Sequence, residues 1–287
     1  MRRRDFFPLA AAAPIAAAVP SRAAVPGLAP SIPVRKVGKV ETVFKSPGPK
    51  PNGLQATEEG LWIMDQGDGN RVQLVSYEGK VLRDFATGAD RASGITFDGE
   101  AIWLASTYNR QIIKANAKTG ETIESYYTPG AGVIYAMAGD PPGRSSPLVE
   151  RPQQPQGAPQ SRPRERGNPN APRDGTGAHG LEWKDGKLWI AVPPSREIYR
   201  IDPKTWVIDK RFDAPAHRPH GIGWEGNSLW VAESNLNAFF KYDTETGEIT
   251  EKIQLAQSDP LPHGMTIRGN VMWYCDDVGI VCRLQLS

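Results

Sequence analysis

A fourteen-residue segment recurs five times without a gap, and it constrains the fold more than any other feature of the chain. The copies are NGLQATEEGLWIMD (52–65), SGITFDGEAIWLAS (93–106), HGLEWKDGKLWIAV (179–192), HGIGWEGNSLWVAE (220–233) and HGMTIRGNVMWYCD (263–276). Each keeps Gly at its second position and Trp at its eleventh: Gly53 and Trp62, Gly94 and Trp103, Gly180 and Trp189, Gly221 and Trp230, Gly264 and Trp273. Successive tryptophans stand 41, 86, 41 and 43 residues apart. A period just above forty, built of short strands and turn residues, is the signature of propeller blades. The expected fold is an all-β propeller of about five to six four-stranded blades.

Four copies read as two strands around a two-residue turn, and the first, around Glu59-Gly60, suits a longer turn. Gly226-Asn227, Gly99-Glu100 and Gly269-Asn270 suit a type II′ turn, and Asp185-Gly186 suits type I′. Alternation places positions three, five, ten and twelve on one face, as in Ile222, Trp224, Leu229 and Val231. The opposite face also carries compact or aromatic residues, so the sheet has two packed sides, as a blade wedged between two others requires. A third and a fourth strand follow each copy, but the last copy runs out of chain after its third. Residues 38–45 are expected to supply the missing strand by pairing near Val281, which closes the ring and leaves no open edge.

The rest of the chain divides around these blades. Residues 1–24 carry Arg2, Arg3 and Arg4, then a weakly apolar run, and Arg3-Arg4-Asp5-Phe6-Phe7 resembles a twin-arginine export signal. Export to the periplasm or out of the cell is expected, with residues 25–36 as a linker and 37–287 as the propeller. Residues 138–176 hold nine prolines, six arginines and no tryptophan, a composition that cannot supply four paired strands, and this stretch reads as a mobile insertion. A formal net charge of +2 gives no reason to expect nucleic acid, and no apolar run is long enough for a spanning helix. The expected state is a monomer with a small-molecule substrate. Cys275 and Cys282 flank a tight connection centred on Val278-Gly279, where a disulfide and a pair of buried thiols are both open readings.

Chemistry gathers at the two ends of the repeat. Positions one and fourteen both lie at the mouth of the central axis, and a direct antiparallel pairing would make them cross-strand neighbours. Position one is Asn52, Ser93, His179, His220 and His263; position fourteen is Asp65, Ser106, Val192, Glu233 and Asp276. Three of the four histidines of the chain thus occupy one equivalent place, and the fourth, His217, stands three residues before His220. Imidazoles beside carboxylates suit a divalent cation (Mg, Ca or Zn), with His179, His220, His263, Glu233, Asp276 and Asp65 as ligands. The same set suits proton transfer by His220, His263 and Glu233, because carboxylates tune neighbouring imidazoles. Asn52, Ser93 and His217 would line the mouth.

The segment PHGIGWEGNSLWVAES (219–234) resembles the blade repeat of the streptogramin lyase propellers and, more distantly, that of gluconolactonase-like propellers. The first resemblance implies elimination at a cyclic ester with a magnesium ion and a histidine base at the mouth, with His220, Glu233, His263 and Asp276 as the matching residues. The second implies a lactonase. The chain departs from the lyases in blade number, since they close seven, and in its proline-rich insertion. Glu233-Ser234 is also similar to the acidic strand end of bacterial glutaminyl cyclotransferases, although the rest of their pattern is absent. The functional expectation is an exported, metal-assisted hydrolase or lyase acting on a small ester- or lactone-type substrate at the channel mouth. The alternative is a non-catalytic binding propeller.

Overall fold

The structure is a computed structural model that describes residues 32–132 and 175–286. The export signal and most of the insertion lie outside the described residues. Strand β1 (Glu41–Lys45) comes first and belongs to the last blade. The first blade is β2 (Pro51–Ala56), β3 (Leu61–Asp65), β4 (Arg71–Val75) and β5 (Val81–Ala86); the second is β6 (Ile95–Phe97), β7 (Ala101–Ser106), β8 (Gln111–Asn116) and β9 (Thr122–Tyr127). The third is β10 (Gly180–Lys184), β11 (Lys187–Val192), β12 (Glu197–Asp202) and β13 (Val207–Asp213). The fourth is β14 (Pro219–Glu225), β15 (Ser228–Glu233), β16 (Ala238–Tyr242) and β17 (Ile249–Gln254). The fifth is β18 (Met265–Arg268), β19 (Val271–Cys275) and β20 (Ile280–Gln285), completed by β1, whose Phe44 pairs with Val281 as the sequence leads one to expect.

Five blades close the ring, and the repeat glycines are the reason. The first strands touch in cyclic order: β2, β6, β10, β14, β18 and β2 again. At every step a position-two glycine lies against the backbone of the next blade. A Cβ on Gly53 would lie 2.3 Å from the Ser93 carbonyl oxygen, one on Gly94 2.9 Å from the Leu181 nitrogen, and one on Gly180 2.0 Å from the His220 oxygen. On Gly221 it would lie 2.0 Å from the Met265 nitrogen, and on Gly264 2.7 Å from the Asn52 oxygen, which returns the circuit to the first blade. Glycine is required here for proximity rather than for backbone conformation. Because Gly94 meets blade three directly, the insertion between blades two and three adds no blade to the ring.

Five apolar cores fill the gaps between successive blades, and each draws residues from two of them. Ile222, Trp224, Leu229 and Val231 all face the third blade, while Trp230 and Ala232 face the fifth, as strand alternation predicts. Each repeat tryptophan is buried, worth about 4–6 kcal/mol of transfer free energy for 150–250 Å² removed from water. A basic side chain lies over every one: Arg83 over Trp62, Lys114 over Trp103, Arg200 over Trp189, Lys241 over Trp230 and Arg283 over Trp273. At the interface beside the insertion, Trp183, Trp103, Tyr126 and Trp206 stack in series.

One expectation changes, and one open alternative is resolved. From residue 32 onward the segment read as a linker is docked: Val34 bridges Lys252 in parallel on the outer edge of β17, and Arg35 binds Glu225 and Glu251, each at 2.6 Å, while lying over Trp230. The cysteines are buried free thiols out of register with each other, since Tyr274 rather than Cys275 pairs with Cys282. They consequently face different inter-blade cores.

The glycine ring yields a direct test. Gly221→Ala is expected to cost about 3 kcal/mol or to abolish folding, because backbone rather than a side-chain tip must yield. Gly38→Ala, with open space around its Cβ, is expected to stay within about 0.5 kcal/mol of the parent in urea denaturation.

Candidate functional site

The mouth is built by a β-bulge at the start of each blade. In blade four Ile222 pairs with Val231 and the next pairing is Pro219 with Glu233, so His220 and Gly221 together oppose one residue. Blade one has the same shift between Pro51 and Gly53. In blades two and five position one donates its N–H to the carbonyl of position thirteen, and position thirteen donates to the glycine carbonyl (Ser93 to Ala105 to Gly94; His263 to Cys275 to Gly264). A bulge re-aims the side chain of its extra residue. The expected pairing of positions one and fourteen is therefore corrected: position fourteen faces position zero, and position one turns toward its equivalents in the neighbouring blades.

The structure brings the three position-one histidines together. The rings of His179 and His220 stand 4.7 Å apart between centroids and nearly perpendicular, and so do those of His220 and His263. His179 Nδ1 lies 3.1 Å from His220 Nε2. His220 Nδ1 lies 3.1 Å from the Arg218 carbonyl and 3.0 Å from Ser234 Oγ, and Ser234 donates its own proton to the Pro262 carbonyl. These acceptors fix the tautomer. His220 must carry its hydrogen on Nδ1, its Nε2 must accept, and His179 must donate from Nδ1. His263 Nδ1 faces the Leu261 carbonyl at 3.4 Å, and its Nε2 faces Arg218 Nη2 at 3.4 Å and Asp277 at 3.6 Å. His179 Nε2 is left as a lone pair, shut off from solvent and without a hydrogen-bond partner among the described residues.

The other half of the mouth is a hydroxyl and amide network. Gln66 Nε2 donates to Ser93 Oγ at 2.8 Å and to the Arg91 carbonyl at 3.2 Å, so Gln66 Oε1 must face Asn52, whose Nδ2 lies 3.5 Å away. Asn52 Oδ1 consequently points elsewhere, buried and without a partner. Thr107 Oγ1 reaches Ser93 Oγ and the Ala178 carbonyl of blade three, each at 3.0 Å. Gln66, Thr107, Ser234 and Asp277 share position fifteen, one residue past the repeat as it was read. Three of them tie one blade to the next, through Ser93, Ala178 and Pro262. Four polar side chains at one equivalent place, out of five, are the signal that would have found them.

The position-fourteen acids serve the loops. Asp65 accepts from the backbone of Lys50 and Gly67, Glu233 from Arg218 and Asn235, and Asp276 from Val278 and Ile280. His217 is half-buried on the loop leading into β14. Two carboxyls are pushed up to about 8 by burial: Glu233, and Glu182 at position four. Glu182 belongs to a second buried ring about the axis, in which Thr96 Oγ1 lies 3.3 Å from it and donates to Gln55, and Gln55 reaches Thr266. The imidazoles move the other way. Burial, then the Arg218 charge and His263, lower His179 to about 3; burial and neighbouring rings and Arg218 hold His220 well below its usual value; burial lowers His263 against the pull of Asp277. The imidazole array is neutral at pH 7.

A divalent cation needs several lone pairs free to converge. Here both nitrogens of His220 are engaged within the protein, His263 Nε2 faces a guanidinium, and the three acids already accept backbone N–H groups. Among the described residues no group of three or more His, Cys, Asp or Glu side chains is placed to hold a metal. In this arrangement a cation would require the imidazoles to exchange their present hydrogen bonds for it. Among the described residues, Asn52 Oδ1 and His179 Nε2 are buried position-one acceptors without hydrogen-bond partners, each costing about 1–3 kcal/mol if left unpaired.

No family model and no curated protein matches the sequence. Solved structures do share the architecture. A glutaminyl cyclase from Myxococcus xanthus superposes with a TM-score of 0.58 at 11% identity, covering 89% of this chain and 99% of that one. A catalytically inactive virginiamycin B lyase from Staphylococcus aureus with quinupristin gives 0.46 at 19% identity over 85% of this chain and 69% of that one. A streptogramin B lyase gives 0.46 at 18% identity over 87% and 98%. At this identity the cyclase likeness establishes the propeller fold alone.

Stability should peak near neutral pH. The carboxyls of Glu182 and Glu233 hold their protons more tightly folded than unfolded, so their contribution is full below about 4.5 and is lost as pH rises toward about 8. The imidazoles bind protons more weakly folded, so stability falls as pH drops below about 6.5. Thermal melts are expected to show both limbs, and Glu182→Gln to flatten the fall between pH 7 and about 8.5.

Proposed function

We propose that the chain is an exported propeller enzyme, a hydrolase or lyase that acts on a small ester- or lactone-type substrate at the mouth of its axis, with His179 as the base. One observation carries this reading: the partnerless Nε2 of His179, held in a fixed tautomer at the head of a directed imidazole chain. Once substrate entry uncovers it, a neutral imidazole with a free lone pair can take a proton from water or from a carbon beside a carbonyl. His220, Ser234 and Glu233 are positioning residues in this scheme: the first two fix the tautomer and Glu233 holds the Arg218 backbone. Arg218 depresses the imidazoles and supplies positive charge where an oxyanion would develop. The resting base is weak, so its proton affinity must rise together with negative charge on the substrate. Oxyanion formation and proton transfer are thereby coupled.

The twin-arginine-like start supports export to the periplasm or beyond, and no helix among the described residues is long and apolar enough to cross a membrane. A metal-assisted version of the same chemistry would need the imidazoles to exchange their present bonds for a cation. Elemental analysis of protein purified without chelator tests it, and a stoichiometric Mg, Ca or Zn content would replace the metal-free account. A non-catalytic binding propeller is favoured by one observation, that the acids hold loops instead of flanking the imidazoles.

Turnover of p-nitrophenyl acetate and γ-butyrolactone distinguishes these readings. His179→Ala is expected to lower kcat/KM at least about 100-fold. The acid limb of kcat/KM should fall below pH 5 rather than near 6.5, because His179 titrates low, and Arg218→Gln should move that limb upward. Unchanged turnover in His179→Ala, or none in the parent protein across an ester and lactone panel, contradicts the catalytic reading.

A further inference from the structure

At the strand ends away from the mouth, the groove between neighbouring blades is occupied at one interface and open at the next. Between blades four and five Arg35 occupies it: the guanidinium lies over Trp230 and binds Glu225 and Glu251, each at 2.6 Å. Between blades three and four the corresponding place is a cleft of about 630 Å³, within the range of roughly 300–1,000 Å³ usual for small-molecule sites. Lys184, Trp189, Trp224, Asn227, Ser228 and Thr250 lie along its walls.

The repeat shows what differs between the two places. Glu225 and Lys184 both stand at position six. Trp230 pairs across the sheet with Lys241, and Lys241 with Glu251; Trp189 pairs with Arg200, and Arg200 with Lys210. An acid, a cation and an acid in blade four thus become three cations in blade three. Blades two and five keep an acid at the fourth-strand place, Glu124 and Glu41. The indoles follow the charge. Glu225 accepts from Trp230 Nε1 at 3.1 Å, and Asp98, at position six of blade two, from Trp103 Nε1 at 2.8 Å. An ammonium has no lone pair, so Lys184 denies Trp189 the acceptor that those two indoles have.

Most of the charge around the cleft is already balanced. Asp202 and Asp209 pair with Lys187 and Arg200, Glu245 with Lys210, and Glu225 and Glu251 with Lys241. Asp243 accepts from the backbone of its own turn. Lys184 differs: its ammonium rests on the Gly226 carbonyl and on Asn227 Oδ1 and lies over the Trp224 ring, with no ion pair among the described residues.

We propose that this cleft binds a sugar acid, a hydroxylated ring bearing one carboxylate, whose carboxylate lies against Lys184 and Trp189 at the place that Arg35 fills in blade four. Cation and anion exchange roles between the two grooves. An ammonium beside an indole N–H suits one carboxylate, which takes a charge-assisted bond from the first and a neutral one from the second. Asn227, Ser228 and Thr250 can donate to ring hydroxyls or accept from them, and Asp185 on the same wall can only accept. Asp185 also repels a second negative charge, which favours a single carboxylate among hydroxyls. The site stands at the opposite end of the strands from the imidazoles and does not depend on the catalytic reading.

The test titrates the full chain with D-glucuronate, with glucose as the uncharged isostere and acetate as the carboxylate without hydroxyls, following the tryptophan indole resonances in ¹H–¹⁵N spectra. Glucuronate is expected to move the Trp189 indole resonance in a saturable way, with glucose and acetate each at least tenfold weaker. Lys184→Gln, checked by thermal melting, is expected to weaken glucuronate at least fivefold, and Lys184→Glu, which restores the acid of blade four, to abolish its binding. Turnover at the mouth, where the parent shows it, should be unchanged in both variants. No saturation with glucuronate, an equal response to glucose or acetate, or full affinity retained in Lys184→Gln would overturn the proposal.

Discussion

The close approach of five glycines around the axis is the constraint on which the rest of the structure depends. Apolar burial between blades is larger in free energy, but it is tolerant, since five differently composed cores perform the same task. The glycine contacts are not tolerant, because backbone meets backbone at distances no Cβ can occupy. That proximity sets the number of blades and brings neighbouring position-one residues into contact. At blade four it is joined by a hydrogen bond, from Gly221 N to the His263 carbonyl at 2.8 Å.

The electrostatics of the mouth follow from the same crowding. Imidazoles so deeply buried, His220 and His263 each 1% exposed, cannot carry charge cheaply, and Arg218 raises that cost further. Neutral rings must then divide donor and acceptor roles, and backbone carbonyls at Arg218 and Leu261 assign the donors. A chain of such bonds has a direction and therefore an end. At that end His179 presents a lone pair, just as the amide chain in the opposite half ends at Asn52 Oδ1.

The blades, their two packed faces and the closing strand were legible in the sequence because they depend on period, alternation and a fixed Gly–Trp pair. The convergence of three histidines was legible for the same reason. The carboxylate partners were misplaced, because a bulge adds one residue without changing the period of the repeat, and a strict two-strand reading then pairs position one with position fourteen. Gln66 and Thr107 went unread, and Ser234 was not given its inter-blade role, since they follow the repeat by one residue. Arg35 and its strap were hidden for a different reason: their partners, Glu225, Glu251 and Lys252, lie roughly two hundred residues away and share no local pattern with them. The offset of Cys275 and Cys282 is likewise a matter of register, which spacing alone cannot supply.

Long-range ¹H–¹⁵N correlation spectra of the histidine side chains at pH 7, with no ligand added, test the central claim most directly. The account predicts that His179, His220 and His263 are all neutral and all protonated on Nδ1, with the Nε2 of His179 showing the shift of an unbonded lone pair. A protonated imidazolium among the three, or an Nε2-protonated form of His179, would contradict it.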